Sequence, residues 1–367
     1  MIMSGNEISV YIHFLYCKSR CPYCDFFRAL KPKEFDEEAY VKGIIDDLVR
    51  MSELASKRSV KSIFFGGGTP SILSDGAVGK ILDSVAKYFD IKNGAEISLE
   101  ANPNTYDSNK FELFNKAGIN RLSLGVQALN EEGLKFLGRT HSLVDAYNAI
   151  EKAVSVFDKS SIDLIYARSG QKFDEWINEI DEAIKFGIKH ISLYQLMIEE
   201  GTVFYRKNVK TLDDNECVEL YQNTQKYLKE KGFERYEVSN FAKDEYNRSQ
   251  HNLVYWRGGD YIGLGKGAHG RLRVGDKIFA TVDGMVEEEL TPEMRALELV
   301  IMGLRIKEGI WAKRFYEASK VNLFDYLKVD NLLELKKNGL LDFDDERVWL
   351  TDDGVILMDR IIEEITP

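Results

Sequence analysis

Short apolar runs rich in β-branched residues alternate along much of the chain with longer segments in which apolar positions recur at helical spacing. The short runs predict strands, and the longer segments predict amphipathic helices. We therefore predict six strand–helix units. The predicted strands are Ile8–Phe14, Ser62–Phe65, Glu96–Glu100, Arg121–Gly125, Ile162–Tyr166 and His190–Leu196, and the predicted helices are Glu37–Ser56, Val78–Phe89, Asp107–Ala117, Leu143–Phe157, Glu175–Phe186 and Asn215–Lys231.

Strands that are apolar on both faces and separated by helices indicate a parallel α/β sheet. Six successive units fit either a doubly wound sheet or an open, partial (β/α)6 barrel, and we favour the partial barrel. In such barrels the functional groups collect at the carboxyl ends of the strands. The chemistry of this chain is therefore expected in the loops that follow the predicted strands.

The pattern changes after about Glu287. Helices are predicted at Pro292–Ile306 and Leu323–Asn338, and short strand-like segments follow at Gly339–Phe343 and Arg347–Leu350. This order is typical of a small α+β, winged-helix-like domain. We therefore expect a barrel at residues 1–245, a connecting segment at 246–286 and a C-terminal domain at 287–367.

The composition of the 367 residues, 44% hydrophobic and 30% charged, is that of an ordinary globular protein. Apolar runs stay shorter than the roughly 20 residues of a membrane span, so we expect no integral membrane segment. The first ten residues lack the basic segment and apolar core of a targeting signal, which favours a cytoplasmic location. A net charge of −11 and an acidic C-terminal segment argue against nucleic acid as a partner.

Three of the four cysteines, Cys17, Cys21 and Cys24, lie in one loop after the first predicted strand. An odd cluster in a reducing compartment disfavours disulfides and leaves metal or nucleophilic chemistry. Structural zinc needs four ligands, and His13 would complete such a set. A [4Fe-4S] cluster held by three cysteines instead leaves one iron open to a small molecule. The spacing alone leaves both alternatives open.

Polar and glycine residues follow the other predicted strands. Gly67, Gly68 and Thr69 follow the second strand, Glu100 the third and Gln127 the fourth, while Asp163 lies in the fifth and Arg139 follows closely after the fourth. Such groups suit an amino group or ribose hydroxyls at the mouth of a barrel. Taken one at a time, each is explained equally well as a turn glycine, a helix cap or a surface charge.

Cys17-x3-Cys21-x2-Cys24 together with Gly66–Pro70 resembles the radical SAM superfamily. Further segments are similar to the oxygen-independent coproporphyrinogen III dehydrogenases and to their relatives, the HemW heme chaperones: Tyr11–His13, Leu99–Pro103, Arg121–Gln127, Leu137–His141 and Asp163–Tyr166. The resemblance implies a [4Fe-4S] cluster on the three cysteines, with S-adenosyl-L-methionine (SAM) on the open iron. It also implies contacts to that SAM, or to a second one, from Tyr11, Tyr23, Gly67, Gly68, Thr69, Glu100, Gln127, Arg139 and Asp163.

Two departures from the dehydrogenases favour the chaperones: the cysteine motif begins almost at once, and Phe26 stands where the dehydrogenases usually have a further cysteine. The segment His251-Asn252-x-x-Tyr255-Trp256 matches the chaperones' heme-associated motif. Histidine is a normal axial ligand of heme iron, and Tyr255 and Trp256 offer flat faces to a porphyrin. From the residues alone, however, His251 is better explained as a hydrogen-bonded loop histidine, and the two aromatic residues as part of the core.

We therefore expect a HemW-type chaperone that binds heme and transfers it to apo-hemoproteins, with the cluster and SAM controlling transfer. One alternative is a dehydrogenase that decarboxylates coproporphyrinogen III to protoporphyrinogen IX. Another is a zinc-stabilised binding module without redox chemistry. Productive SAM cleavage and homodimer formation are left open.

One loop departs from the resembling families. Ala167-Arg168-Ser169-Gly170-Gln171 stands where they commonly have Gly-Leu-Pro-Gly-Gln. The change removes a glycine and a proline and adds a cation, so it is expected to alter the site beside Asp163.

Overall fold

The structure, a computed structural model, describes residues 6–55, 58–105 and 109–367. Its first part alternates strands and helices. The strands are β1 (Glu7–Phe14), β2 (Tyr16–Cys17), β3 (Ala29–Leu30), β4 (Ser59–Gly67), β5 (Asp90–Ala101), β6 (Arg121–Gln127), β7 (Lys159–Tyr166) and β8 (His190–Gln195), and the helices are α1 (Glu37–Ala55), α2 (Asp75–Tyr88), α3 (Lys110–Lys116), α4 (Glu131–Phe136), α5 (Leu143–Val156), α6 (Phe173–Lys185), α7 (Val203–Arg206) and α8 (Asp214–Glu230). The predicted helix ends at Ser56 and Asp107 lie outside the described residues.

The predicted parallel sheet is confirmed. Strands β1, β4, β5, β6, β7 and β8 lie side by side in chain order, each parallel to its neighbour. Among the described residues, the two ends of the sheet do not pair with each other, so the sheet is open, as expected for a partial barrel. The carboxyl ends of these strands therefore share one edge.

Further elements lengthen the sheet at both sides. They are β9 (Glu234–Arg235), β10 (Asn240–Ala242), α9 (Gln250–Trp256), β11 (Tyr261–Leu264), β12 (His269–Val274), β13 (Lys277–Val282) and β14 (Met285–Leu290). Strand β11 runs parallel to β1 and is followed by antiparallel β12, β13 and the edge strand β14, while β10 and β9 extend the sheet beyond β8. The hydrophobic pattern did not predict these strands. The segment boundaries at residues 245 and 286 stay predictions.

Alternate residues of the parallel strands face opposite sides of the sheet. In β1, Ile8, Val10, Ile12 and Phe14 are buried in the core shared with the helices. The residues that face the opposite side of the sheet are polar near the amino ends of the strands, where Ser9 Oγ lies 2.7 Å from Ser62 Oγ. Helix α9 packs against this end, and the backbone N–H of Gln250 donates to Glu96 at 2.7 Å. The carboxyl ends therefore form the open mouth.

The C-terminal part has its own hydrophobic core, which confirms the predicted small α+β domain. It comprises α10 (Pro292–Gly303), β15 (Ile310–Trp311), α11 (Ala312–Ser319), α12 (Leu323–Tyr326), α13 (Val329–Lys337), β16 (Leu341–Phe343), β17 (Arg347–Leu350) and α14 (Met358–Ile365), with the sheet order β15-β17-β16. The single helix predicted over Leu323–Asn338 is divided, because the extended Lys328 donates its N–H to the carbonyl of Ile365 at 2.9 Å. Within the described residues, no helix is both long and apolar enough to cross a membrane.

Candidate functional site

The cysteine loop is fixed at its base by a short parallel strand pair. Strands β2 and β3 pair Cys17 with Leu30, and Lys31 N–H donates to the Cys17 carbonyl at 2.9 Å. Within the loop, Cys24 N–H donates to the Cys21 carbonyl at 3.3 Å. All three cysteines are free and line one cavity of about 350 Å³ at the open mouth of the barrel. The loop thus presents three thiols to a shared space.

Two guanidinium groups contact the sulfurs. Arg28 Nε lies 2.9 Å from Cys24 Sγ, and Arg139 Nη1 lies 3.2 Å from Cys21 Sγ. Burial raises the pKa of the Cys17 thiol, while a hydrogen bond with Thr69 opposes that shift. Arg28 and Arg139 thus place positive charge and hydrogen-bond donors beside two of the three sulfurs.

The surroundings of His13 bear on the zinc alternative. His13 Nδ1 lies 2.9 Å from Tyr11 Oη, and Nε2 lies 2.9 Å from the Phe27 carbonyl, so both ring nitrogens are already in hydrogen bonds. Among the residues that the structure describes, no three His, Cys, Asp or Glu side chains are grouped as ligands of a metal ion. A mononuclear zinc site needs such a group, whereas a [4Fe-4S] cluster places each cysteine on a different iron. With His13 engaged, the three thiols lack the fourth ligand of structural zinc, whereas a cluster with an open iron needs only three.

The glycines after β4 let the chain approach the cysteine segment closely. Gly67 has a φ of 103°, and a Cβ there would lie 2.6 Å from the His13 ring. A Cβ on Gly68 would lie 2.6 Å from the Tyr16 carbonyl oxygen. Only glycine tolerates both the backbone conformation at Gly67 and this packing. The N–H of Gly67 donates to Glu100 Oε2 at 3.1 Å, which joins the second and third strand ends.

Two carboxyl groups occupy the depth of the cavity. Burial, reinforced by the nearby Asp163, raises the pKa of Glu100 to about 8. Burial also raises the pKa of Asp163 to about 6, although hydrogen bonds from Ser192 and Ser123 act to lower it. Ser123 Oγ lies 3.1 Å from both carboxyl oxygens of Asp163. Near neutral pH this pair can hold a proton and still accept hydrogen bonds from hydroxyl or ammonium groups.

The structure brings most of the predicted site residues together. Those that line the cavity are Cys17, Cys21, Tyr23, Cys24, Gly67, Gly68, Thr69, Glu100, Gln127, Arg139 and Asp163. Tyr11 lies behind the cavity, where its hydroxyl contacts His13. His251, Tyr255 and Trp256 lie on α9, at the amino ends of the strands. The predicted cofactor residues therefore form two separate groups.

The heme-associated motif is packed inside the fold. His251 is 3% exposed, its Nδ1 lies 3.0 Å from Ser62 Oγ, and its ring stacks on Phe64 with centroids 5.0 Å apart. Burial lowers the pKa of His251 to about 3, so the imidazole is neutral. The rings of Tyr255 and Trp256 pack edge to face, with centroids 4.5 Å apart. The motif thus presents no free histidine at the surface.

The loop Ala167–Gln171, which departs from the sequences of similar families, adds a cation, Arg168, and this side chain lies away from the cavity. Arg168 is buried and forms an ion pair with Glu179, which also accepts a hydrogen bond from Leu129 N–H at 2.7 Å. Ala167 has a φ of 62°, a left-handed conformation that glycine adopts more easily. The added charge is therefore neutralised, and the altered position is the backbone at Ala167.

Sequence reasoning missed several residues of the cavity. Arg28 contacts Cys24, and Asn102 connects two predicted residues by accepting from Arg139 at 2.5 Å and donating to Thr69 at 3.0 Å. Tyr194 and Met197, at and after the end of β8, also line the cavity. Asn102 and Ser123 lie in motifs already noted, so their positions beside strand ends could have identified them. Nothing in the sequence marks Arg28.

Comparisons with known proteins agree with this geometry. Residues 11–183 match the radical SAM superfamily, and residues 290–357 match the HemN C-terminal domain. The heme chaperone HemW of Buchnera aphidicola subsp. Acyrthosiphon pisum is 39% identical over 265 residues, which cover 72% of this chain and 70% of that protein. The heme chaperone HemW of Escherichia coli K12 is 39% identical over 270 residues, which cover 73% and 71%.

One solved structure resembles nearly the whole chain. It is coproporphyrinogen III oxidase (HemN) from Escherichia coli, with a TM-score of 0.81 over 98% of this chain and 89% of that chain. The two sequences are 20% identical over the aligned region, so this likeness concerns the fold alone.

Proposed function

We propose that this chain, which belongs to the HemW family of radical SAM proteins, binds heme and transfers it to apo-hemoproteins. The observation that carries the proposal is the 39% identity to the Escherichia coli heme chaperone HemW over 270 residues. Phe26, in place of a further cysteine, and the His251–Trp256 motif support the same assignment.

We assign Cys17, Cys21 and Cys24 as ligands of a [4Fe-4S] cluster with an open iron for SAM. When bound, this pair supplies one-electron chemistry. Arg28 and Arg139 donate hydrogen bonds to the cysteine sulfurs and place positive charge beside them. Deeper in the cavity, Glu100, Gln127 and Asp163 offer acceptors for the ammonium and hydroxyl groups of SAM.

We assign heme to the region around α9. For His251 to become an axial ligand, its imidazole has to leave Ser62 and turn out of the barrel interior. A series of ring and hydrogen-bond contacts joins this region to the cysteine loop. Phe64 and Tyr11 stack with centroids 6.3 Å apart, Tyr11 contacts His13, and His13 contacts the Phe27 carbonyl. This series offers a physical route by which the cluster end could influence heme release.

The test begins with heme titrations of the anaerobically reconstituted native protein and of the variants His251→Ala and His269→Ala. Absorption spectra are the readout of each titration. His269 is the matched control because it is exposed and so the histidine most open to adventitious heme. We expect a Soret band that shifts or weakens in His251→Ala and is unchanged in His269→Ala. Loss of the band in His269→Ala alone would reveal adventitious binding.

Transfer is tested by mixing the heme-loaded protein with an apo-hemoprotein over a range of acceptor concentrations. Direct handover predicts a rate that rises with acceptor concentration, whereas simple release followed by capture gives a constant rate. An anaerobic assay with coproporphyrinogen III, SAM and a reductant tests the dehydrogenase alternative. Conversion to protoporphyrinogen IX would overturn the chaperone proposal.

A further inference from the structure

A group of buried polar side chains closes the amino end of the barrel beside α9, opposite the cavity that the cysteines line. We call it the amino-end network. Its members are each at most 3% exposed: Glu96 on β5, Arg121 on β6, Ser161 on β7, His190 on β8 and Tyr236 after β9. Buried polar groups are costly unless each is bonded, so the contacts of this network indicate what it holds.

Glu96 is the centre of the amino-end network. Its Oε1 accepts the backbone N–H of Gln250 at 2.7 Å and that of His251 at 3.4 Å. Its Oε2 lies 3.5 Å from Arg121 Nη1 and 3.5 Å from Lys159 Nζ, so two cations offset its buried charge. One carboxylate thus joins the first residues of α9 to β6 and β7.

Two further bonds hold the residues that precede α9. The Asn247 carbonyl accepts from Arg121 Nη1 at 2.9 Å, and the N–H of Ser249 donates to Tyr236 Oη at 3.0 Å. Tyr236 Oη also lies 2.8 Å from His190 Nε2, which connects this bond to β8. The network therefore holds the amino end of α9 through backbone groups of the helix and of the residues just before it.

The carboxyl end of α9 is fixed in a different way. Gly258 follows the helix with a φ of 72°, and a Cβ there would lie 2.1 Å from the Leu299 side chain of α10. The Gly258 carbonyl also accepts from Arg295 Nη2 at 2.8 Å. This end is packed closely against α10, whereas the bonds at the amino end can be replaced by bonds to water. A movement of α9 would therefore begin at its amino end and turn about Gly258 and Gly259.

We propose that Glu96 is a positioning residue for His251: it holds the amino end of α9 against the sheet and has to release it before the imidazole can reach heme iron. This inference rests on the proposed function, since heme is the ligand toward which His251 would turn. His251 is attached twice, by its backbone N–H to Glu96 and by its Nδ1, 3.0 Å from Ser62 Oγ. Because His251 is 3% exposed, we expect both bonds to break when the ring turns outward.

Hydrogen–deuterium exchange of the heme-free protein tests the attachment. Tyr236→Phe deletes one hydroxyl of the network, and Glu96→Gln removes its central charge. Tyr227→Phe is the matched control, because it deletes a phenolic hydrogen bond on α8, to Asp181 at 2.7 Å, outside the network. We expect peptides that cover residues 247–257 to exchange about fivefold faster than in the native protein in both network variants, and at the native rate in the control.

Hemin association, followed by stopped-flow absorption on the anaerobically reconstituted protein, tests the role of release. We expect the association rate constant to rise about fivefold in Tyr236→Phe and to stay unchanged in Tyr227→Phe, because a larger fraction of molecules is then able to bind. A network that merely stabilises the fold would not speed association. Melting temperatures show which variants fold. If Glu96→Gln does not, because Arg121 and Lys159 have lost their carboxylate, Tyr236→Phe carries the test alone.

Two results would overturn the inference and leave heme binding intact. One is unchanged exchange of residues 247–257 in Tyr236→Phe, and the other is faster exchange without faster hemin association. Absence of hemin binding by the native protein would instead overturn the proposed function and, with it, the role of release. The two failures are distinguishable because the exchange measurement uses protein without heme.

Discussion

His251 Nδ1 lies 3.0 Å from Ser62 Oγ, although 189 positions separate the two residues along the chain. The bond holds the His251 ring inside the barrel, so an outward movement of the ring toward heme iron would break it. We predict that Ser62→Ala lowers the free energy of unfolding by about 1 kcal/mol, because a buried imidazole loses its partner. We also predict that heme binds about fivefold more tightly, because the competing bond is gone. Denaturant unfolding and heme titration measure the two effects.

Ser9→Ala is the control for this change. Ser9 Oγ lies 2.7 Å from Ser62 Oγ in the same layer, whereas the hydrogen bond to His251 comes from Ser62. We expect a similar loss of stability without tighter heme binding. Heme affinity that is unchanged or weaker in Ser62→Ala would contradict the view that His251 must leave Ser62.

Arg28 connects three points of the cysteine loop. Besides its contact with Cys24 Sγ, its Nη2 donates to the Cys24 carbonyl at 2.8 Å and to the Cys21 carbonyl at 3.2 Å. A hydrogen bond to a charged group contributes roughly 1.5–3 kcal/mol. We therefore predict that Arg28→Gln loses its cluster in air about tenfold faster than the native protein does. The decay of visible absorbance measures this loss. Arg20→Gln removes an exposed arginine of the same loop and should behave like the native protein.

The pKa of Glu100, raised from 4.5 to about 8, predicts a pH dependence of stability. Between these two values the folded protein binds more protons than the unfolded chain, so stability falls as the pH rises. The contribution is fully present below pH 4.5 and is lost as the pH passes about 8. We predict that Glu100→Gln flattens this fall, measured as melting temperature against pH on the cluster-free protein. Glu34→Gln, at an exposed carboxyl, should leave the profile unchanged, and an equal effect of both variants would refute this explanation.

The left-handed backbone at Ala167, with a φ of 62°, predicts that glycine is preferred there. Because a residue with a Cβ costs about 1–2 kcal/mol in this conformation, Ala167→Gly should stabilise the protein by roughly 1 kcal/mol. Ala86→Gly, at an exposed position in α2, should destabilise it by a similar amount, since glycine is the poorer helix former. Denaturant midpoints measure both changes. Destabilisation by Ala167→Gly would show that other contacts fix this loop.

The sequence predicted the parallel strands from short runs rich in apolar and β-branched residues, and most positions of β6 and β7 are indeed buried, including the polar Arg121 and Ser161. It did not predict β11 to β14. Strand β11 is short, and β14 is exposed along almost its whole length, so their existence depends on pairing with distant strands rather than on their own pattern. The break between α12 and α13 was equally hidden, because a bond from Lys328 to Ile365 causes it and neither Gly nor Pro marks it.

The site was predictable where function imposes a spacing on the chain, as in the cysteine loop and the glycines after β4. It was not predictable where partners come from distant segments. The pairing of Arg168 with Glu179 and the burial of His251 against Ser62 are examples, since both depend on how helices pack against the sheet. A motif in the sequence therefore identified the residues of α9 without indicating the end of the barrel at which they lie.

The edge strand β14 carries three consecutive glutamates, Glu287, Glu288 and Glu289, all exposed. The unpaired backbone of such an edge is a template on which another strand can add, and charged side chains discourage that addition. If two molecules met edge to edge, their carboxylates would repel each other before the backbones could pair. Solubility of this protein at high concentration thus depends partly on a strand remote from the cysteine loop.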